Sequence, residues 1–119
     1  MGDSAPGDCM FCKIARGQLG TEFVAESEHC VAFRDLHPQA PVHLLVVPRR
    51  HFAALRDVAA EDSAIPADAL ALASRVAADH GLYEGGYRVI TNDGPDAGQT
   101  VPHLHFHVLG GKPLRAGLG

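Results

Sequence analysis

The chain has no tryptophan, and aromatic residues make up only 6% of its 119 positions. Packing must therefore rest on aliphatic side chains. Cysteine is scarce and odd in number: Cys9, Cys12 and Cys30. One tight C-x-x-C pair plus a lone thiol does not make a secreted disulfide framework, and points to a reducing, cytoplasmic setting. No apolar run approaches the ~20 residues of a membrane span. The start, Met1 to Asp8, has neither a basic end nor an apolar stretch, so no leader is expected there. Basic residues are also in deficit, with a net charge of -4 at pH 7. That balance argues against nucleic acid, whose binders carry a basic patch or stripe. It leaves a small nucleotide open, because backbone N–H groups and a few side chains suffice to bind phosphate.

Histidine, by contrast, is abundant, with 8 in the chain. Imidazole at that density suggests metal ligands or acid–base chemistry. The length suits one domain that can bury a sheet and a helix or two. Residues 1–8 read as a loose tail. Cys9 to Arg16 reads as a short helical turn stopped by Gly17. Phe23–Glu26 and Cys30–Arg34 read as a hairpin. Val42–Val47, ended by Pro48, reads as a central strand buried on both faces, with His43 inside it. Residues 66–80 form the one long helix candidate, with Leu70, Ala73, Val76 and Ala77 on its inner face and Gly81 as its stop. Tyr87–Thr91 and His103–Leu109 complete roughly five strands. Together these give an α+β fold with a mainly antiparallel sheet, one long helix and a short N-terminal helix.

The most informative stretch is His103-Leu104-His105-Phe106-His107-Val108-Leu109. Alternation along a strand sends His103, His105 and His107 to one face and Leu104, Phe106 and Val108 to the other. Imidazoles two residues apart lie about 6–7 Å apart, within reach of one phosphate-sized anion. A neutral imidazole offers a single donor, so a phosphate needs others. Gly98, Gln99 and Thr100, just upstream, can offer backbone N–H groups, an amide and a hydroxyl. A His-x-His strand can also ligate zinc. The pair Cys9 and Cys12 is redox-active or half a zinc site; no strand precedes it, as a thioredoxin-type motif would require. Cys30 reads as core.

The pattern His, apolar, His, apolar, His, apolar, apolar resembles that of the histidine triad (HIT) superfamily. Further matching segments are Cys9 to Ile14, Ala32 to Asp35, Pro38 to Pro41, His43 to His51, Asn92 to Gly94 and Gly98 to Val101. The C-x-x-C start and Gly110-Gly111 are similar to the Hint branch. The resemblance spans 9–112, with 113–119 as a C-terminal tail. It implies cleavage of purine nucleoside 5′-phosphoramidates through a covalent nucleotidyl-histidine. His105 would be the nucleophile, with His107, His43 and His103 as the other catalytic histidines. It implies phosphate contacts from Asn92, Gly98, Gln99 and Thr100, and a ribose contact from Asp35. Phe11, Ile14, Phe33 and Leu36 would form the base slot. No cofactor is implied for catalysis. Some bacterial members bind structural zinc, which here would engage Cys9, Cys12, His51 and His103, making His103 structural. A homodimer with a continuous sheet is implied as well. Three alternatives stay open: a dinucleoside polyphosphate hydrolase, a zinc-stabilised nucleotide-binding or adaptor protein with little turnover, and a zinc hydrolase ligated by the three triad histidines. The missing tryptophan removes a residue that the Hint branch often carries near its leaving-group side.

Overall fold

The computed structural model describes residues 9–116. The loose tail expected over 1–8 and the last three residues of the C-terminal tail lie outside the described residues. A short helix α1 (Met10–Ala15) is followed by strands β1 (Ala25–Glu26), β2 (Cys30–Arg34) and β3 (Val42–Pro48). Helix α2 (Ala64–Asp79), β4 (Tyr87–Ile90) and β5 (Phe106–Gly110) complete the order. The five strands form one antiparallel sheet in the order β1-β2-β3-β5-β4. β5 thus inserts beside β3 after the chain has crossed through α2 and β4.

Strand β3, with Val42, Val46 and Val47, is rich in β-branched residues, and both β2 and β3 are buried on both faces, as the apolar run at 42–47 implies. One face, with Ala32, Leu44, Val46, Phe106 and Val108, packs on α2. The other, with Val31, Phe33, Leu45 and Val47, packs on α1. The helix contributes Ile65, Ala69, Leu72, Ala73, Val76 and Ala77. Its alanines let it sit close to the sheet. Leu70, expected on that face, is instead 52% exposed. The buried stripe runs 65, 69, 72, 73, 76, and residue 70 lies about 100° around the helix from residue 69. Two further expectations shift. α2 begins two residues before Pro66, which falls within its first turn. The first hairpin strand shrinks to Ala25–Glu26. Asp68 on α2 ties the following turn down, its Oδ2 accepting from Ser27 Oγ at 2.6 Å and His29 N at 3.0 Å. Among the described residues no helix is long and apolar enough to cross a membrane.

The largest change falls on the histidine segment. A strand was expected from His103, but ladder pairing begins at Phe106. Residues 103–105 take their partners from loops. Leu104 N donates to Phe52 O at 2.7 Å, and Thr91 Oγ1 donates to His105 O at 2.7 Å. The two-face alternation survives: Leu104 is buried in the α2-side core.

Leu72 is 2% exposed in that core, so Leu72→Ala should cost about 3 kcal/mol of unfolding free energy. Leu70→Ala should stay within about 0.5 kcal/mol of the parent. Urea melts of the two variants distinguish this helix face from the one read off the sequence.

Candidate active site

Register places the key side chains before any local bond does. His43 pairs with Leu109, and Leu45 with His107, across β3 and β5. Ile90 pairs with His107, and Arg88 with Leu109, across β4 and β5. Paired residues share a face of the sheet. His43, His107, Leu109, Arg88 and Ile90 therefore share the face away from α2.

On that face His43 Nε2 lies 2.9 Å from His107 Nδ1. His43 Nδ1 accepts the backbone N–H of Gln39 at 3.0 Å. A neutral His43 must then carry its proton on Nε2 and donate it to His107 Nδ1. His107 in turn carries its proton on Nε2, which is left to face a ligand. Asp35 Oδ2 lies 3.4 Å from His43 Nε2, and Asp35 Oδ1 accepts from His37 N at 2.8 Å. Burial lowers the pKa of His43, with Asp35 opposing. Burial, then repulsion from His105 and His43, pushes His107 down to about 4, again against Asp35. Both rings are neutral near pH 7.

His105 is buried, and its Nδ1 lies 2.7 Å from the carbonyl oxygen of His103. A carbonyl only accepts, so Nδ1 bears the hydrogen and Nε2 keeps a bare lone pair. The ring stands edge-on to Phe11 at 5.2 Å between centroids and to His107 at 5.0 Å. Phe11 stands edge-on to Phe33 at 6.0 Å. Phe11, Ile14 and Phe33 are all buried in the α1-side core. Of the three, Phe11 stands against the His105 ring, while Leu36 is 89% exposed.

The loop after β4 is held by the residue expected to grip phosphate. Gln99 Oε1 accepts from Gly94 N at 2.9 Å, and its Nε2 donates to Ala53 O at 2.7 Å and Val101 O at 3.1 Å. The amide is committed internally, so Gln99 shapes the loop. Gly94 and Gly98 take φ of 94° and 80°, in the left-handed region that favours glycine. Arg56 clamps the same loop, its N and Nε donating to Asp93 Oδ2 at 2.9 Å and Oδ1 at 2.7 Å. Thr100 and Gly98 are exposed. Asn92 lines a cavity of about 580 Å³ with Gln39, His43 and His107. Sequence reasoning missed Thr91, Arg56, Ala53 and the backbone of Gln39, which act through main-chain groups or a loop remote in sequence. Only the Asn92-Asp93-Gly94 turn pointed that way.

His103 is fully buried and engaged elsewhere. Its Nε2–H donates to Pro48 O at 2.9 Å, which leaves Nδ1 bare. That nitrogen lies 3.2 Å from Cys9 Sγ and 3.5 Å from Cys12 Sγ. Cys12 Sγ also lies 3.4 Å from His51 Nδ1. The four donor atoms all fall within 4.8 Å of one another. Tetrahedral zinc, with bonds of about 2.3 Å to sulfur and 2.0 Å to nitrogen, separates S and N ligands by about 3.5 Å. Donor type, spacing and the Pro48 carbonyl behind His103 all fit zinc. Burial, then Cys9, pushes the Cys12 thiol up to about 11, and a divalent cation would hold it as thiolate. With both nitrogens of His103 committed here, the triad rings do not converge on a shared metal, against the zinc-hydrolase alternative.

An antiparallel sheet backed by one long helix, with a histidine segment entering the interior strand β5 beside a glycine loop, defines a histidine-triad architecture. Sequence comparison agrees: the HIT domain matches residues 16–114. The chain is 37% identical to the purine nucleoside phosphoramidase of Escherichia coli over 90% of each chain. A HIT family hydrolase from Legionella pneumophila superposes with a TM-score of 0.87 at 44% identity, covering 91% of this chain and 96% of that one. A zinc-bound histidine triad protein from Mycobacterium smegmatis gives 0.76 at 33% identity, over 91% and 78%. The chain belongs to the HIT family.

The depressed His107 links the site to stability. Below its ordinary pKa of about 6.5 the unfolded chain binds a proton that the folded site refuses until about 4. Stability is thus fully present above pH ~6.5 and falls as pH drops toward 4. Thermal melts from pH 7 to 4 should show this decline, and His107→Asn should flatten part of it.

Proposed function

We propose that the protein hydrolyses the P–N bond of purine nucleoside 5′-phosphoramidates through a nucleotidyl intermediate on His105. The observation that carries this reading is the hydrogen bond from His105 Nδ1 to the His103 carbonyl, which leaves Nε2 free to attack. The similarity to the E. coli phosphoramidase supports the substrate class.

The chemistry follows from the two protonation patterns. A phosphoryl anion entering beside His107 adds an opposite charge and raises its pKa, so substrate brings a proton onto the His43–His107 pair. The Nε2 lone pair of His105 then forms a bond to phosphorus. The P–N bond breaks, its electron pair goes to nitrogen, and the leaving amine takes the proton from His107. Neutral His107 next accepts a proton from water, whose oxygen attacks phosphorus. The P–Nε2 pair returns to His105, and nucleoside monophosphate departs. Dividing one slow hydrolysis into two steps is the gain from covalent catalysis. Asn92 and the backbone of the Gly98–Thr100 turn would bind phosphoryl oxygens whose charge grows in the transition state. Asp35 would bind the ribose hydroxyls, with Leu36 beside the base.

Zinc at Cys9, Cys12, His51 and His103 would be structural. It would tie α1 to the segment that presents the His103 carbonyl, and no step of the reaction uses it. The zinc-bound M. smegmatis relative supports this assignment. The free cysteines suit a cytoplasmic home. β4 is an edge strand of the sheet, which suits a sheet-continuing homodimer.

Two experiments test the reading. Rapid quenching with adenosine 5′-phosphoramidate, followed by mass spectrometry, should find adenylate on His105. His105→Asn should lose the adduct and about 10⁴-fold or more in kcat, as removal of a covalent nucleophile does; AMP release at the parental rate would overturn the assignment. The purified protein should carry one zinc per chain by elemental analysis, and Cys12→Ser should lose it together with thermal stability.

A further inference from the structure

The cavity beside His43 and His107 holds a feature that the proposed chemistry does not use. It is bordered by Arg88 on β4 and by Lys112 and Arg115 in the C-terminal segment. In a chain of net charge -4, three of the 10 basic side chains border one cavity. Among the described residues no aspartate or glutamate lines it. The arginines that do form ion pairs, Arg34, Arg49, Arg50 and Arg56, lie elsewhere. Arg88, Lys112 and Arg115 have no acidic partner among the described residues. Their placement is built into the fold. Arg88 shares the sheet face of His107 through the β4–β5 register. Its Nη2 donates to Arg115 O at 2.9 Å, fixing the last described turn of chain against the cavity mouth.

Direction identifies what this wall meets. Nucleophile and leaving group stand on opposite sides of phosphorus in an in-line displacement. His105 sits on the Phe11 side, whereas the cavity is lined by His107 and His43. On the P–N hydrolysis reading the departing group, which would take its proton from His107, would leave into that cavity.

We propose that Arg88, Lys112 and Arg115 form a leaving-group subsite selective for anionic leaving groups, carboxylate- or phosphonate-bearing amines in preference to neutral ones. The proposal rests on the P–N hydrolysis reading and adds a substrate class to it. A screened charge pair at an open site contributes roughly a factor of two to five, and three together about tenfold.

The test uses three adenosine 5′-phosphoramidates that share one reacting centre. Their leaving amines are n-propylamine (neutral), β-alanine (carboxylate) and 2-aminoethylphosphonate. The parental protein should show kcat/KM about tenfold higher for the two anionic substrates, an advantage eroded as salt rises. In Arg88→Gln/Lys112→Gln that ratio should fall toward one. Lys112→Gln alone, at an exposed side chain, should give a partial fall and covers the case in which the Arg88 change disturbs the fold. A rise for only one anionic amine restricts the subsite to that anion. Equal kcat/KM for all three substrates, or a ratio unmoved by the double variant, overturns the subsite while leaving P–N hydrolysis intact. If no substrate is cleaved and His105 carries no adduct, the hydrolase reading fails. Calorimetric affinities for the same compounds then decide the subsite by the same ratio.

Discussion

The hydrogen bond between His105 Nδ1 and the His103 carbonyl is the constraint around which the site is arranged. A free imidazole exchanges its proton between two nitrogens. Here the carbonyl fixes it on one, and the other becomes a directed lone pair. That carbonyl is available because residues 103–105 do not join the ladder. In a regular strand it would point along the hydrogen-bonding direction toward a neighbour. Phe52, Thr91 and Val101 take over the backbone pairing of the segment instead, and the strand resumes at Phe106 in time to align His107 with His43.

The same residue that offers its carbonyl to His105 offers its ring to the cysteine cluster. His103 therefore joins the N-terminal helix, the end of β3 and the triad segment. Its ring is fully buried, and burial holds it neutral, pushed down to about 4. Two polar networks, one of sulfur and imidazole and one of imidazole and carboxylate, thus flank a single short stretch of chain. Each uses a backbone group to set a tautomer: Pro48 O for His103, His103 O for His105, and Gln39 N for His43.

Much of this was legible in the sequence, for physical reasons. β3 declared itself through its β-branched apolar run, β2 as the returning strand of a hairpin, and the triad through period-two alternation, which fixes side-chain faces even where ladder pairing stops. The motif around residues 103–109 carried the family. What stayed hidden depends on contacts distant along the chain. Leu70 fits helical spacing as well as Ala69 does, and only docking against the sheet chooses between them. Gln99 carries donors that suit phosphate, but two carbonyls and an amide from three separate positions claim its side chain. Phe11, Ile14 and Phe33 carry no signal of how deep they lie, and the fold buries all three on the α1 side of the sheet. The basic lining of the cavity is spread over positions 88, 112 and 115 and has no linear signature.

The threefold engagement of the Gln99 amide has a bearing on redesign. One side chain measures the span from Gly94 to Val101 and anchors it to Ala53, so the loop works as a ruler of set length. Inserting or deleting a residue there would break the measure and shift the whole glycine loop. Laboratory evolution toward new chemistry is thereby steered outward, to the β4 surface and the closing stretch of chain, where side chains can change while the ruler keeps its length.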